Sequence, residues 1–189
     1  MNLASVLLLC FVAIAAVTDI RNHKIYNWTT YPGILSALVI AGLVSLLGHD
    51  GRPLQWLGRV EFSDAIAGLL ACGGIMLVCY VFFKIGGGDV KLVAMLGAFL
   101  GLEYGIEALL WTLVLGGAMG LIVLVWKTGT FTLLKRFIQY AKAAIRMRGF
   151  AHLRNSESPG TGTSLFLAPS ALMAAIIVEF RLMERLGLA

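Results

Sequence analysis

Two aspartates are the strongest candidates for chemistry in this chain, because each lies at the edge of a long apolar run. Asp19 follows the uncharged stretch 12–18, and Asp89 ends the stretch 84–89, which contains three consecutive glycines. An ionisable group at membrane depth is costly, so each such residue is a candidate for function. Two carboxyl groups that meet can share a proton, and such a pair can act as general acid and general base or hold a cation. The pair is useful only if the fold brings both residues together.

The other eight acidic residues have simpler explanations. Asp64, with Ser63 before it, stands where the N-cap of a helix is expected. Glu157 lies in a polar loop. The acids expected at or near the outer membrane boundary, where solvation is easy, are Asp50, Glu61, Asp64, Glu103, Glu107, Glu179 and Glu184. Asp19 and Asp89 therefore remain as the pair to be positioned.

The composition indicates the kind of scaffold that positions them. The chain has 189 residues, of which 59% are hydrophobic, with only 15 Lys+Arg and 10 Asp+Glu. A water-soluble domain of this length needs a more charged surface, and a disordered chain lacks such long apolar runs. The sequence therefore predicts an all-α, polytopic integral membrane protein that forms a single domain over residues 1–189.

The cysteines do not suggest a metal or disulfide framework. Cys10, Cys72 and Cys79 all lie within apolar runs, with no C-x-x-C pair and no neighbouring histidine. We expect three buried thiols, and we expect neither a metal nor an organic cofactor.

Six apolar stretches are candidate membrane segments. The fourth has 13 residues and covers roughly 20 Å of a hydrocarbon core about 30 Å thick. Only residues 103–105 separate it from the fifth, which predicts a tight hairpin. The six predicted segments are 2–18, 28–47, 63–83, 90–102, 106–126 and 163–180.

The placement of Lys and Arg predicts the orientation. No Lys or Arg precedes the first apolar run, so we interpret this run as a retained anchor with its N-terminus outside rather than as a signal peptide. The inner loops then hold eleven of the fifteen Lys and Arg residues, as the positive-inside rule requires. This orientation puts Asp19 and Asp89 on the cytoplasmic side. It also explains the net charge of +5 without a nucleic-acid partner.

The basic inner loop 127–162 has a helical pattern of its own. Apolar residues recur at helical spacing within it, and basic residues occupy the other faces. This pattern predicts an interfacial amphipathic helix that lies on anionic membrane lipids or docks a substrate or partner, with the lipid interpretation favoured.

The residues around the two aspartates suggest supporting roles. The run Gly86-Gly87-Gly88 disfavours a helix and permits close backbone approach, so we expect Gly86 and Gly88 to be required beside Asp89, which we place as the N-cap of the fourth helix. Lys91 is expected to pair with a carboxylate or to reach lipid phosphate, the latter being favoured. Asn27 is expected to hydrogen-bond the backbone near Asp19 or to start the second helix.

These residues together resemble a known family. The pattern Asp19-x5-Ile25-x-Asn27 after a first span, with Gly86-x-Gly88-Asp89-x-Lys91 before a short span, resembles the prepilin peptidases, which are membrane aspartic proteases of the GxGD type. The resemblance covers nearly the whole chain in length, span count and motif position.

Two departures from the family pattern are informative. Ile25-Tyr26-Asn27 stands where the family often has Ile-Pro-Asn, so the turn after the first aspartate is expected to differ in shape. The cytoplasmic insert with paired C-x-x-C motifs, linked in the family to N-methylation, is missing. The chain therefore resembles the short, peptidase-only form that serves Flp-type pili.

The resemblance implies an activity, a substrate and a location. It implies an inner-membrane endopeptidase that removes the basic leader of a type IV prepilin or pseudopilin on the cytoplasmic side, with Asp19 and Asp89 activating water. Asp89, at a helix N-terminus, is expected to be the base, and Asp19, at a helix C-terminus, the acid.

Two other functions use the same residues. A small ion-coupled transporter would bind a cation or proton at the two aspartates around a broken helix, although the chain shows no clear inverted repeat. A non-catalytic pilus assembly subunit would use the aspartates only to cap and orient helices.

Overall fold

A computed structural model of the chain describes residues 2–22, 24–47, 56–83, 86–128 and 167–180. Within these ranges the regular structure is helical, and no β-strand occurs in them. In chain order the helices are α1 (Leu3–Asn22), α2 (Asn27–Leu47), α3 (Phe62–Phe83), α4 (Gly87–Thr128) and α5 (Leu167–Glu179).

Four of the described helices are long and apolar enough to cross a membrane, namely α1 to α4. A helix of 20 residues is about 30 Å long, which matches the hydrocarbon core, and it satisfies its own backbone hydrogen bonds there. For the described residues, the prediction of an all-helical, multi-pass membrane protein is thus confirmed. The count of six separate spans is not confirmed, because α5 and the part of α4 before its break at Gly101 are each shorter than a membrane span needs.

The long helix α4 is broken at Gly101. This residue has φ 81° and ψ −172°, a backbone conformation that residues other than glycine rarely adopt. A Cβ atom built on Gly105 would lie 2.9 Å from the Cα of Gly97, whereas eight residues of straight helix would separate the two by about 12 Å. The chain therefore doubles back, as the predicted hairpin requires. Its turn lies at Gly101, ahead of the predicted position at 103–105.

We name the two arms of this hairpin α4a (87–100) and α4b (102–128). Asp64, near the start of α3, fixes the turn between them, because its Oδ1 accepts a hydrogen bond of 3.0 Å from the backbone N–H of Leu102. The first N–H groups of a helix have no partner within that helix, so a carboxylate that accepts from one of them acts as a cap. Asp64 was expected to be the N-cap of the third span, but α3 already begins at Phe62 and the carboxylate caps α4b.

Helix α5 packs against α1 in the antiparallel direction. Ser5, near the start of α1, donates a hydrogen bond to Glu179 at the end of α5. At the other end, the N–H of Ala168 donates to the carboxylate of Asp19. Small side chains allow the two helices to lie close together, and the buried residues of α5 are Leu167, Ala168, Ser170, Ala171, Ala174, Ala175 and Val178.

The prediction of three buried thiols is correct for one cysteine. Cys72 is buried, Cys79 is half-buried and Cys10 is exposed. A membrane helix is apolar on the face that meets lipid as well as on the face that meets protein. Membership of an apolar run therefore does not predict burial, which explains why Cys10 was misplaced.

The predicted interfacial helix lies outside the described residues. Of the loop 127–162, the structure describes only 127–128, which still belong to α4. Among the described residues, those up to Gly116 form one compact unit with α5, and residues 117–128 belong to a second unit. The candidate site lies wholly in the first unit.

Candidate active site

Four helix ends meet around Asp19 and Asp89. Helix α1 ends there, while α2, α4 and α5 begin there. We call this region the aspartate end and define it by residues 18–22, 24–31, 86–91 and 167–170. Both motifs that the sequence singled out, and the first turn of the last described helix, lie within it.

Asp19 is a buried carboxylate in the last turn of α1, with 6% of its surface exposed. Its Oδ2 accepts a hydrogen bond of 3.3 Å from the backbone N–H of Ala168, in the first turn of α5. Because the first N–H groups of a helix lack partners within it, this donor is available for Asp19. Sequence reasoning missed this contact, although Pro169 is a residue typical of a helix start and signals one here.

Asp89 lies in the first turn of α4 and is half-buried. Its own N–H donates a hydrogen bond of 3.1 Å to the carbonyl of Gly86, which closes the turn into the helix. The helix begins at Gly87, three residues before the predicted start at Val90, so Asp89 lies within its first turn and is not its N-cap. The carboxyl groups of Asp19 and Asp89 are near enough to interact electrostatically. Both aspartates lie at the same end of the bundle, where Gly88 packs against Ile25 and Lys91 binds Asn27.

At two positions beside Asp89 the packing is so close that only glycine fits. A Cβ atom on Gly88 would lie 2.9 Å from the Cβ of Ile25, which is closer than side chains tolerate. A Cβ on Gly86 would lie 3.0 Å from Oδ2 of Asp89. On Gly87 it would meet nothing nearer than the ring of Tyr80, at 3.9 Å. The first and third glycines of the run are therefore the constrained ones.

Asn27 and Lys91 connect the two motifs directly. The Nζ atom of Lys91 donates a hydrogen bond of 2.8 Å to Oδ1 of Asn27, and it lies 4.7 Å from the centre of the Tyr31 ring. Asn27 is the first residue of α2, as one of the two expectations for it held. The ammonium of Lys91 thus contacts an amide and an aromatic ring, and its expected use on a carboxylate or lipid phosphate stays a prediction. Sequence reasoning also missed Tyr31, although it lies one helical turn after Asn27.

The donor set at the aspartate end consists of two carboxylates. Across the described ranges of the chain, no three His, Cys, Asp or Glu side chains come together in a way that would hold a metal ion. Two neighbouring carboxyl groups support acid–base chemistry on a water molecule.

A cavity of about 130 Å³ lies at the opposite end of α1. It is lined by Ser5, Arg59, Asp64, Tyr104 and Glu179 among others. Ser5 and Asp19 are 14 residues apart on one helix, or about 21 Å. The carboxylates of Asp64 and Glu179 already accept hydrogen bonds within the protein. The cavity is therefore separate from the aspartates and is a weaker candidate for chemistry.

The structure does not support the use of helix dipoles to assign one aspartate as acid and the other as base. That argument contrasted Asp89 at a helix N-terminus with Asp19 at a helix C-terminus. The structure places the N-terminus of α5 against Asp19, so each carboxylate faces the positive end of a helix dipole. The roles of acid and base therefore cannot be assigned from the dipoles.

Comparison with known proteins identifies the family of this chain. A model of the type IV leader peptidase family matches residues 6–121, which is more than half of the chain. The matched range holds both aspartates, α2, α3 and most of α1 and α4. No curated protein and no solved structure matches the chain in the corresponding comparisons.

Proposed function

Because the chain belongs to the type IV leader peptidase family, we propose that it is an aspartic endopeptidase that removes the basic leader from prepilins or pseudopilins of the Flp type. The substrate is cut on the cytoplasmic side of the inner membrane. The observation that carries this proposal is that Asp19 and Asp89, which are 70 positions apart in the chain, lie at the same end of the helix bundle, where Gly88 packs against Ile25 and Lys91 binds Asn27.

Water attack on the scissile carbonyl uses both carboxyl groups. One is ionised and takes a proton from the water molecule as its oxygen bonds to the carbonyl carbon. The other is protonated and donates a hydrogen bond to the carbonyl oxygen, which stabilises the negative charge that develops there. When the C–N bond breaks, the leaving amine takes up a proton from the pair. Two neighbouring carboxyl groups share one proton readily, because like charges oppose the ionisation of both.

The membrane setting supports a substrate of this type. An apolar segment of the substrate can lie in the bilayer beside the exposed apolar faces of the described helices. A basic leader that follows it is attracted to a site with two carboxyl groups. The excess of Lys and Arg in the loops on the aspartate side supports a cytoplasmic position for this site.

We further propose that the chain cleaves its substrate without methylating the product. In the family that the sequence resembles, N-methylation is linked to an insert with paired C-x-x-C motifs. The three cysteines of this chain form no such pair. Mass spectrometry of the mature substrate should therefore find an unmodified N-terminus, and a methylated one in a strain without another methyltransferase would contradict this part of the proposal.

The test replaces each aspartate singly with asparagine and follows leader removal from a co-expressed Flp-type prepilin. Asp19→Asn and Asp89→Asn keep the size of the side chain but remove its acid–base function. We expect each to lower the cleavage rate by at least about 100-fold. Glu103→Gln is the matched control, because Glu103 is an exposed carboxylate and should leave cleavage unchanged.

The amounts of membrane-inserted protein and its elution from size-exclusion chromatography in detergent must match the wild type for each variant. Cleavage that persists at the wild-type rate in both Asp19→Asn and Asp89→Asn would contradict the proposal. Loss of cleavage in Glu103→Gln as well would show that the assay reports on something other than the pair.

A further inference from the structure

We propose that Lys91 is a positioning residue, whose ammonium group ties the first turn of α4 to the first turn of α2 so that Asp89 stays opposite Asp19. This inference rests on the proposed function and adds a device to the same site. It assigns Lys91, Asn27 and Tyr31 a common role, in which none of them touches the substrate.

The two contacts of Lys91 define one binding place for its ammonium group. Asn27 and Tyr31 are four residues apart in α2, so they lie on the same face of that helix. The amide oxygen of Asn27 accepts a hydrogen bond of 2.8 Å, and the face of the Tyr31 ring lies 4.7 Å away. An ammonium group has three donors and is attracted to the face of an aromatic ring. Both contacts therefore hold Lys91 against α2.

Asp89 lies between two residues, Gly88 and Lys91, that both contact the segment 25–27. On one side, the backbone of Gly88 packs against Ile25, with no room for a Cβ atom. On the other side, Lys91 binds Asn27. Ile25 and Asn27 are next but one in the chain and follow the end of α1, which carries Asp19. The segment after Asp19 is thus fixed to the chain on both sides of Asp89, and these contacts set how the two carboxyl groups face each other.

A different role for Lys91 makes a different kinetic prediction. A lysine that binds an acidic group of the substrate lowers KM, so its loss raises KM, whereas a lysine that only binds lipid phosphate leaves both KM and kcat of the detergent-solubilised enzyme unchanged. A lysine that orients a reacting group lowers the barrier of the chemical step, so its loss lowers kcat. Variants of Asn27 also distinguish the binding role from the positioning role. Only in the positioning role does the effect of Lys91 on kcat require Asn27.

The experiment measures kcat and KM of the full-length, detergent-solubilised enzyme on a synthetic peptide that spans the leader and the apolar segment of a prepilin. The variants are Lys91→Met, Asn27→Ala, the double variant and Asn27→Asp. Misplacing a reacting group by about 1 Å costs on the order of 100-fold. We therefore expect each of the first two variants to lose roughly 10- to 100-fold in kcat with KM unchanged.

The double variant should lose no more than the worse single variant, because both changes break the same contact. Asn27→Asp retains an acceptor oxygen for Lys91 and should lose far less kcat than Asn27→Ala. Multiplied losses in the double variant, a rise in KM alone, or wild-type kcat in Lys91→Met would each overturn the inference.

Tyr31 provides a second pair of variants in case Lys91→Met fails to fold. Its side chain is 55% exposed, so its replacement disturbs little packing. Tyr31→Phe keeps the ring face and should lose far less kcat than Tyr31→Leu, which removes it. Equal kcat values for these two variants would contradict the proposed arrangement.

The same assay separates this inference from the proposed function. If Asp19→Asn and Asp89→Asn abolish cleavage while Lys91→Met and Asn27→Ala retain wild-type kcat, the positioning role fails and the peptidase function stands. If the aspartate variants retain cleavage, the proposed function itself fails.

Discussion

The backbone N–H of Ala168 donates a hydrogen bond of 3.3 Å to the carboxylate of Asp19, across 149 positions of sequence. Ala168 lies in the first turn of α5, beyond the range 6–121 that matches the type IV leader peptidase family. The described site therefore includes a part of the chain that the family match does not cover. Because the donor is a backbone group, its contribution depends on the position of α5 and not on the side chain of Ala168.

Removal of this donor should impair the peptidase. Ala168→Pro eliminates the N–H and puts a methylene group of the ring in its place, which pushes Oδ2 of Asp19 away. Proline is tolerated in the first turn of a helix, so α5 itself should persist. We expect kcat for prepilin cleavage to fall by at least about tenfold, since misplacing a reacting group by about 1 Å costs on the order of 100-fold.

Pro169→Ala is the matched control for this change. It alters the neighbouring residue in the same turn and leaves the N–H of Ala168 in place, so kcat should remain near the wild-type value. Wild-type kcat in a folded Ala168→Pro enzyme would show that the hydrogen bond to Asp19 does not contribute to the reaction.

The glycine run should respond unequally to alanine substitution. Gly86→Ala crowds the carboxylate of Asp89, and Gly88→Ala forces α4 away from Ile25, so both should lower the cleavage rate by roughly 10- to 100-fold. Gly87→Ala meets only an ordinary contact with Tyr80 and should cleave within about twofold of the wild type. The measurement is the rate of leader removal at equal amounts of folded enzyme. Equal losses at all three positions would instead indicate a general need for backbone flexibility.

The sequence predicted the aspartate pair because charge at the edge of an apolar run is conspicuous in any membrane protein. Asp19 and Asp89 could be selected from ten acids by their place in the hydropathy pattern alone. The donor on Ala168 could not be found in this way, since every non-proline residue carries a backbone N–H. Its use depends on the packing of α5 against α1, which the sequence does not show.

The hydropathy pattern predicted the helices better than their faces and turns. In lipid, a helix can be apolar all round, so the pattern contains little information on which side meets protein. Cys10 was therefore placed in the interior although it is exposed. The reversal in α4 was predicted at residues 103–105 from their polarity, but it lies at Gly101, where a positive φ and the carboxylate of Asp64 favour it.

Asp64 should contribute to stability rather than to catalysis. Asp64→Ala leaves the N–H of Leu102 without its acceptor, and the loss of a helix cap costs about 1 kcal/mol. Asp64→Asn keeps an acceptor oxygen and should lose much less. The measurement is the free energy of unfolding in detergent, with kcat of the folded fraction recorded in parallel. A drop in kcat for Asp64→Asn at unchanged stability would contradict a purely structural role.

The contact between α3 and the hairpin of α4 leads to a prediction about two glycines of one helix. A Cβ atom on Gly68 would collide with the backbone carbonyl of Gly97 and with Gly101, and backbone atoms cannot move aside as a flexible side chain can. Gly68→Ala should therefore lower the free energy of unfolding by about 1–3 kcal/mol.

A Cβ atom on Gly74 has nothing within 4 Å, so Gly74→Ala meets no steric obstacle. It should leave stability unchanged or raise it by up to roughly 1 kcal/mol, because alanine favours a helix over glycine. Unfolding by a denaturing detergent, followed by circular dichroism, compares the two variants. If Gly68→Ala were as stable as Gly74→Ala, α3 and the turn at Gly101 could not lie as close together as the structure places them.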